Sequence, residues 1–123
     1  MMKPISPTIH GVLDYLMVPV FFLAPRLFGF DGLPATISMV LAGVHLILTA
    51  LTAMPLGLIK VIPFKVHGAI ELVVGFALIA LPWILGFAQV NSARNFFLAV
   101  GIVILIVAML TDWKSTGGVT ARS

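Results

Sequence analysis

The sequence predicts an all-α protein, a four-transmembrane-helix bundle made of two parallel two-helix repeats. Apolar residue types make up 61% of the 123 residues and charged types only 9%, whereas charged residues are roughly a quarter of an ordinary soluble domain. Such a chain cannot cover a water-facing surface with polar groups. Proline and glycine divide it into four apolar stretches, each long enough as a helix to cross a bilayer.

The main internal pattern is a duplication at a separation of 57 residues. The segment 9–30 aligns without a gap with 66–87. Two apolar segments share leucine and valine by chance, but shared polar and turn residues in one register indicate an internal repeat. The paired positions are His10 and His67, Gly11 and Gly68, Asp14 and Glu71, Pro25 and Pro82, Gly29 and Gly86, and Phe30 and Phe87.

The elements follow from cap and turn residues. Ser6 before Pro7 is typical of a helix start, and Gly29 is typical of a helix end. Because His10 and Asp14 interrupt its apolar run, helix 1 is expected to be a retained span and not a cleaved signal peptide. The expected order is a lead at 1–7, repeat 1 at 8–57 (helices at about 7–28 and 34–54), repeat 2 at 58–113 (helices at about 64–85 and 93–113), and a flexible tail at 114–123.

The basic residues predict the orientation. Four spans place both termini on one side of the membrane, and five of the seven basic residues fall on that side. The positive-inside rule then favours cytoplasmic termini. Since each repeat has two spans, the copies enter the membrane in the same direction, related by a pseudo-two-fold axis along the membrane normal. Lys3, Lys60, Lys65, Lys114 and Arg122 lie on the inner side, and Arg26 and Arg94 on the other.

Ionisable residues inside apolar helices are candidate functional groups, because they are costly at membrane depth. Each repeat carries a histidine and an acid four residues apart, which places both on one helix face. Asp112 continues the Gly101/Ala108 face of helix 4 toward the same end. The expected cluster at the cytoplasmic end contains His10, Asp14, His67, Glu71 and Asp112.

Three interpretations of this cluster are open. The preferred one is a structural polar network without metal, in which each histidine donates to the acid on the next turn. The second is a path for protons or cations. The third is a divalent metal site formed by His10, Asp14, His67 and Glu71, although the sequence identifies no outer hydrogen-bond partner for either imidazole.

His45, near the middle of helix 2, is the sixth candidate residue of the intramembrane polar cluster. Thr49 and Thr52 share its face, which lies nearly opposite a face with Gly43 and Ala50. Helix 2 therefore has two faces that are expected to avoid lipid, and one of them could bind a second subunit in a homodimer. The alternative is that both threonines bond back to their own helix and that a neutral His45 finds a backbone carbonyl.

Small residues seven positions apart predict close helix packing. They let neighbouring backbones approach with a left-handed crossing. The pairs are Gly43 and Ala50, Gly68 and Gly75, and Gly101 and Ala108.

Several classes of function are excluded or disfavoured. The chain has no cysteine, which excludes disulfides and thiol chemistry. Its net charge is +3, but the basic residues do not form a cluster, so nucleic acid is not expected as a partner. No nucleotide-binding loop, nucleophile elbow or zinc-protease motif is present. We therefore expect no enzymatic activity and no cofactor, with the lipid bilayer as partner.

Two tandem two-helix units, each with proline and then Gly-Phe at the outer end of its first helix, resemble the SPW-repeat family of small bacterial membrane proteins. The resemblance covers about residues 8–113. The triplets are Ala24-Pro25-Arg26 and Leu81-Pro82-Trp83. The resemblance implies the architecture and a bacterial inner membrane as the location, and it supplies no catalytic residues. The expected function is a structural or accessory membrane role, and the alternative is a small proton- or cation-linked transporter or channel.

Overall fold

The computed structural model of the protein describes residues 3–115. Residues 1 and 2 of the predicted lead, and the predicted flexible tail from residue 116 onward, lie outside the described residues. The all-α fold is confirmed, and all four helices are long and apolar enough to cross a membrane, consistent with an integral membrane protein. The helices are α1 (Pro7–Phe28), α2 (Gly32–Ala50), α3 (Phe64–Ile84) and α4 (Asn91–Leu110).

The outer ends of α1 and α3 have the same structure. Gly29 and Gly86 have φ values of 72° and 78°, a left-handed conformation that glycine adopts without strain from a Cβ atom. The Phe30 N–H then donates to the carbonyl oxygen of Pro25 at 3.0 Å, and the Phe87 N–H makes the equivalent bond at 2.8 Å. Both phenylalanines are buried, so the glycine turn ends each helix and returns its apolar neighbour to the core.

Helices α2 and α4 begin and end earlier than their sequences suggest. They occupy 32–50 and 91–110, whereas the expected ranges were 34–54 and 93–113. Pro34 lies in the first turn of α2, where its missing N–H leaves no helical bond unmade, so the helix can begin before it. The early ends arise because the chain leaves each helix to make backbone bonds with another segment.

These bonds join each repeat to the segment that leads into the other repeat. The extended residue before α1, Ile5, pairs with the chain after α4, and the extended residue before α3, Ile62, pairs with the chain after α2. The two bridges occupy corresponding positions in the two repeats, so at this end each hairpin is hydrogen-bonded to the other. Ile5 N–H donates to Leu110 O and Asp112 N–H to Ile5 O, while Ile62 N–H donates to Leu51 O and Ala53 N–H to Ile62 O.

Packing follows the repeats, with α1 along α2, α3 along α4, and α1 also touching α4. Gly75 and Gly101 face each other, and a Cβ atom at Gly101 would lie 2.8 Å from the Gly75 carbonyl oxygen. The expectation for Gly43 was wrong: it is exposed, and a Cβ atom there would have nothing within 4 Å. Helix α2 instead turns a polar stripe with Ser38 and Thr49 toward the core.

The two ends of the bundle interior differ in chemistry. The end near the α1–α2 and α3–α4 turns is filled by aromatic and aliphatic side chains, and the opposite end holds the buried polar groups. Large apolar side chains cover the outside of all four helices, as contact with lipid requires. The aromatic residues of the core are Phe21, Phe30, Phe87, Phe96 and Phe97.

Candidate functional site

Two histidines and two carboxylates meet inside the bundle near the starts of α1 and α3. We call His10, Asp14, His67 and Glu71 the quartet; their exposed fractions are 0%, 4%, 0% and 3%. Each helix contributes a histidine and an acid spaced i, i+4, so one face of each helix carries both groups. The structure thus brings the repeat-related pairs into one buried site shared by both repeats.

Each imidazole of the quartet contacts both carboxylates through Nε2. His10 Nε2 lies 3.1 Å from Asp14 Oδ2 and 3.1 Å from Glu71 Oε2. His67 Nε2 lies 2.9 Å from Asp14 Oδ2 and 2.9 Å from Glu71 Oε1. Of these four contacts, the one between His67 and Glu71 has hydrogen-bond geometry, whereas His10 Nε2 and Asp14 Oδ2 have no hydrogen-bond partner.

The other ring nitrogen of each histidine is held by a threonine from the opposite repeat. His10 Nδ1 lies 2.9 Å from Thr111 Oγ1, and His67 Nδ1 lies 2.7 Å from Thr52 Oγ1. Each threonine gives its single hydroxyl proton to a carbonyl one helical turn earlier, so its oxygen accepts from Nδ1–H. This places a proton on Nδ1 and aims Nε2 at the carboxylates. The carbonyl acceptors are Leu48 for Thr52 and Val107 for Thr111, both at 2.6 Å.

Bulky side chains close the site toward the adjacent end of the bundle. The Trp113 ring packs against His10 with 4.8 Å between ring centroids, and against Phe64 with 4.6 Å. Glycine provides the space, since a Cβ atom at Gly68 would lie 3.0 Å from the Trp113 ring. In the other repeat Gly11 accommodates a leucine in the same way. That residue is Leu56, whose atoms would lie 3.1 Å or more from a Cβ at Gly11 and whose carbonyl accepts from the Tyr15 hydroxyl at 2.8 Å.

His45 lies beside the quartet and inside the bundle, so of the two faces of α2 that were expected to avoid lipid, this one is turned toward the core. It is buried, and its Nε2 is 3.5 Å from Asp14 Oδ1, without a hydrogen-bond partner. Thr52 bonds back to its own helix as the alternative expectation had it, but the buried Thr49 hydroxyl has no partner. The polar stripe of α2 therefore faces the core and the small-residue face points outward.

Asp112 does not join the quartet, contrary to the expectation. It is partly exposed, and its Oδ1 accepts from the backbone N–H groups of Lys114 and Ser115 at 3.2 and 3.3 Å. The expectation assumed that α4 continues through Asp112. Because the helix ends at Leu110, the residue that reaches the imidazole is Thr111.

Two crevices between helices reach the quartet from the side. One of about 110 Å³ lies between α1 and α4, and one of about 30 Å³ between α2 and α3. Both are lined by His45 and Glu71, and the larger one also by Asp14. Their remaining walls are apolar, and the exposed Leu16 and Val103 flank the larger crevice. The polar site is thus reached past apolar side chains that face the bilayer.

Sequence reasoning missed Thr111 and assigned Thr52 only a bond to its own helix, although a repeat signal for the pair exists. The first helices of the repeats align at a separation of 57 residues, but Thr52 and Thr111 are separated by 59. An ungapped comparison therefore does not pair them. Shifting the second helices by two residues aligns Thr52 with Thr111 and His45 with Ile104.

The comparisons with known proteins identify a family and no activity. The family model described as SPW repeat domain matches residues 8–111, a range that contains the quartet, both threonines and all four helices except the first residue of α1. No curated protein and no solved structure gives a significant match to the chain.

Proposed function

The chain belongs to the SPW repeat domain family, and from this premise we propose that it is a structural or accessory module of a bacterial inner membrane, without enzymatic activity. The observation that carries the proposal is the sharing of the quartet between repeats. His10 Nε2 lies as close to Glu71 of the other repeat as to Asp14 of its own. The same arrangement applies to His67.

The quartet supports this role because polar groups bind strongly where water is absent. In an apolar environment, helices gain little from hydrophobic association with one another, so packing and polar contacts hold them together. Removing one partner of a buried charged pair costs about 3–5 kcal/mol because the other is left uncompensated. Together with the bridges at Ile5 and Ile62, the quartet fastens the two hairpins at one end of the bundle.

The rival function is a proton- or cation-linked transporter or channel. One observation favours it: His45 Nε2 is 3.5 Å from Asp14 Oδ1, one step further into the bundle. Beyond His45 the core is filled mainly by apolar side chains such as Phe21 and Phe97, and the buried Ser38 hydroxyl there donates to the Phe21 carbonyl oxygen. Transport would require this packed region to open, so the geometry favours the accessory role.

A flux assay in proteoliposomes with an internal pH indicator tests the proposal. Under a pH gradient, the wild-type protein should pass protons no faster than protein-free liposomes. His67→Ala and Glu71→Gln should leave this rate unchanged and lower the temperature of thermal unfolding, whereas Asp112→Asn outside the quartet should leave both values unchanged. A pH-driven flux that disappears in the two quartet variants would contradict the accessory role and support transport.

Orientation and assembly are further parts of the proposal. The charge distribution supports cytoplasmic placement of both termini, with Lys60 and Lys65 at the quartet end and Arg26 and Arg94 at the other. The lipid bilayer is the proposed partner, given the apolar outer surface. The homodimer stays a prediction, and with His45 in the core, the face of α2 that carries the exposed Gly43 is the one that still points outward.

A further inference from the structure

We propose that His10, Asp14, His67 and Glu71 form a binding site for one divalent transition-metal ion, with zinc as the best-fitting probe. The inference goes beyond the accessory role and does not depend on it. One potential ligand atom from each residue lies within 4.8 Å of the other three. Two imidazole nitrogens and two carboxylate oxygens are donors that zinc commonly binds in proteins.

The spacing of the donor atoms fits a common central ion. Ligand atoms about 2.0–2.1 Å from a zinc ion, and roughly 90–110° apart around it, lie about 2.8–3.4 Å from one another. The four nitrogen–oxygen distances between the histidines and the acids are 3.1, 3.1, 2.9 and 2.9 Å, with Asp14 Oδ2 facing both imidazoles and Glu71 presenting Oε2 to His10 and Oε1 to His67. Both imidazoles thus approach both carboxylates at the edge lengths of a metal coordination polyhedron.

Hydrogen bonding alone does not account for this convergence. A ring N–H points in one direction and satisfies one acceptor well, yet each Nε2 is equally close to two carboxylates. His10 Nε2 and Asp14 Oδ2 are buried, aimed into the quartet, and without a hydrogen-bond partner. An ion at the centre would satisfy these atoms together, because its attraction is not restricted to one acceptor.

The charges balance as well. Without an ion, the two histidines balance the two carboxylates only if each carries a proton on Nε2 as well as on Nδ1. In the metal-bound site those two Nε2 protons are released, and each imidazole keeps its Nδ1–H bond to threonine and presents the Nε2 lone pair to the ion. One divalent ion neutralises both carboxylates, which matters at membrane depth because an uncompensated charge is costly there.

The hydrogen bonds outside the quartet have the arrangement expected around metal-binding histidines. Metal-bound imidazoles donate their other N–H to an oxygen, which fixes the ring orientation. Thr111 accepts from His10 and Thr52 from His67. The threonines are themselves fixed by bonds to backbone carbonyls of α2 and α4. The two imidazoles are therefore held in place before an ion arrives.

The chemistry of the donors selects the class of metal. Imidazole favours zinc, copper, iron or nickel, whereas magnesium and calcium prefer oxygen ligands throughout. Zinc should therefore bind, and magnesium or calcium at the same concentration should not displace it. Neither His45 nor Asp112 is required as a ligand, since the four quartet residues complete a tetrahedral set.

Metal analysis of the full chain in detergent tests the site. The protein is purified without a polyhistidine tag, stripped with chelator, and titrated with Zn²⁺ against a coloured competing chelator. We expect one Zn²⁺ per chain, at least a tenfold loss of affinity in Glu71→Gln and in His67→Gln, and unchanged binding in Asp112→Asn. Binding that Glu71→Gln and His67→Gln leave intact would identify an adventitious surface site and overturn the proposal.

X-ray absorption on the zinc-loaded wild type gives a result that does not depend on the folding of any variant. The expected coordination shell has nitrogen and oxygen at about 2.0–2.2 Å, with the outer-shell scattering of two imidazoles. A shell without imidazole, or stripped protein that binds no zinc, would overturn the metal site. Neither result bears on the accessory role, which fails instead if the flux assay detects transport.

Discussion

The hydroxyl oxygen of Thr111 lies 2.9 Å from Nδ1 of His10, although the two residues are 101 positions apart in the chain. The same contact joins Thr52 to His67 at 2.7 Å. Each repeat therefore supplies the residue that orients the histidine of the other. Each hairpin alone contains a histidine and an acid, but the threonine that holds this histidine lies in the other hairpin. The buried site is therefore a property of the paired repeats.

Replacing Thr111 with valine tests this contact. Valine has nearly the shape of threonine but leaves the Nδ1–H of His10 buried without an acceptor. We expect Thr111→Val to lower the free energy of unfolding by about 1–3 kcal/mol, measured by denaturant titration in mixed detergent micelles. Thr52→Val should cost a similar amount, because His67 loses the equivalent partner.

The control for both variants is Thr36→Val. The Thr36 hydroxyl donates to a backbone carbonyl of its own helix at 3.2 Å, and the residue is exposed. Its replacement should change the free energy of unfolding by no more than about 0.5 kcal/mol. Equal losses of unfolding free energy at all three positions would show that the buried threonine–histidine contacts stabilise the protein no more than the exposed Thr36 bond does.

The helices and the repeat could be predicted from the sequence because their signals are local. Apolar stretches of the right length, ended by Gly29 and Gly86, require no knowledge of the partner elements. The helix pairing that the structure shows fits the two repeats. The start of α2 was placed at Pro34, two residues too late, because a proline fits at any position in the first turn of a helix and not only at its first residue.

The interior of the bundle was harder to predict because it depends on where helices end and which face turns inward. Asp112 was placed in the cluster on the assumption of a longer α4, and the backbone bonds of Ile5 end that helix earlier. In α2, Gly43 suggested one inward face and His45 another. A glycine can face lipid at little cost, whereas a stripe of polar side chains cannot. His45 was therefore a better guide than Gly43 to the inward face of α2.

Two glycines in similar helices should respond oppositely to alanine. A Cβ atom at Gly101 would lie 2.8 Å from the Gly75 carbonyl oxygen and 2.9 Å from the Ile79 side chain. Gly101→Ala should therefore force α3 and α4 apart and lower the free energy of unfolding by about 1–3 kcal/mol. The measurement is the same denaturant titration in mixed micelles.

Gly43→Ala is the matched variant on α2. Nothing lies within 4 Å of a Cβ atom there, and alanine is favoured over glycine in a helix by about 1 kcal/mol. We expect the variant to be as stable as the wild type or slightly more stable. A loss of stability that depends on protein concentration would instead point to a homodimer contact at the exposed Gly43.

The orientation of the chain can be tested with single cysteines, since the sequence contains none. Asn91 and Ile59 are both exposed and lie at opposite ends of the bundle. If the quartet end is cytoplasmic, Asn91→Cys should react with a membrane-impermeant maleimide in intact bacterial cells. Ile59→Cys should react only after the inner membrane is permeabilised. The reverse pattern would contradict the orientation inferred from the basic residues.

His45→Ile separates the accessory role from transport at one position. His45 Nε2 is buried without a hydrogen-bond partner, and the equivalent residue in the other repeat is Ile104, which the bundle already buries. In the accessory role, the substitution removes an unsatisfied polar atom, so the free energy of unfolding should rise by about 1 kcal/mol. Zinc binding by the quartet should persist, because His45 is not among its ligands.

A transporter would instead need His45 as the next proton-binding group beyond Asp14. A proton flux that is present in wild-type proteoliposomes and absent in His45→Ile would therefore contradict the accessory role and support transport.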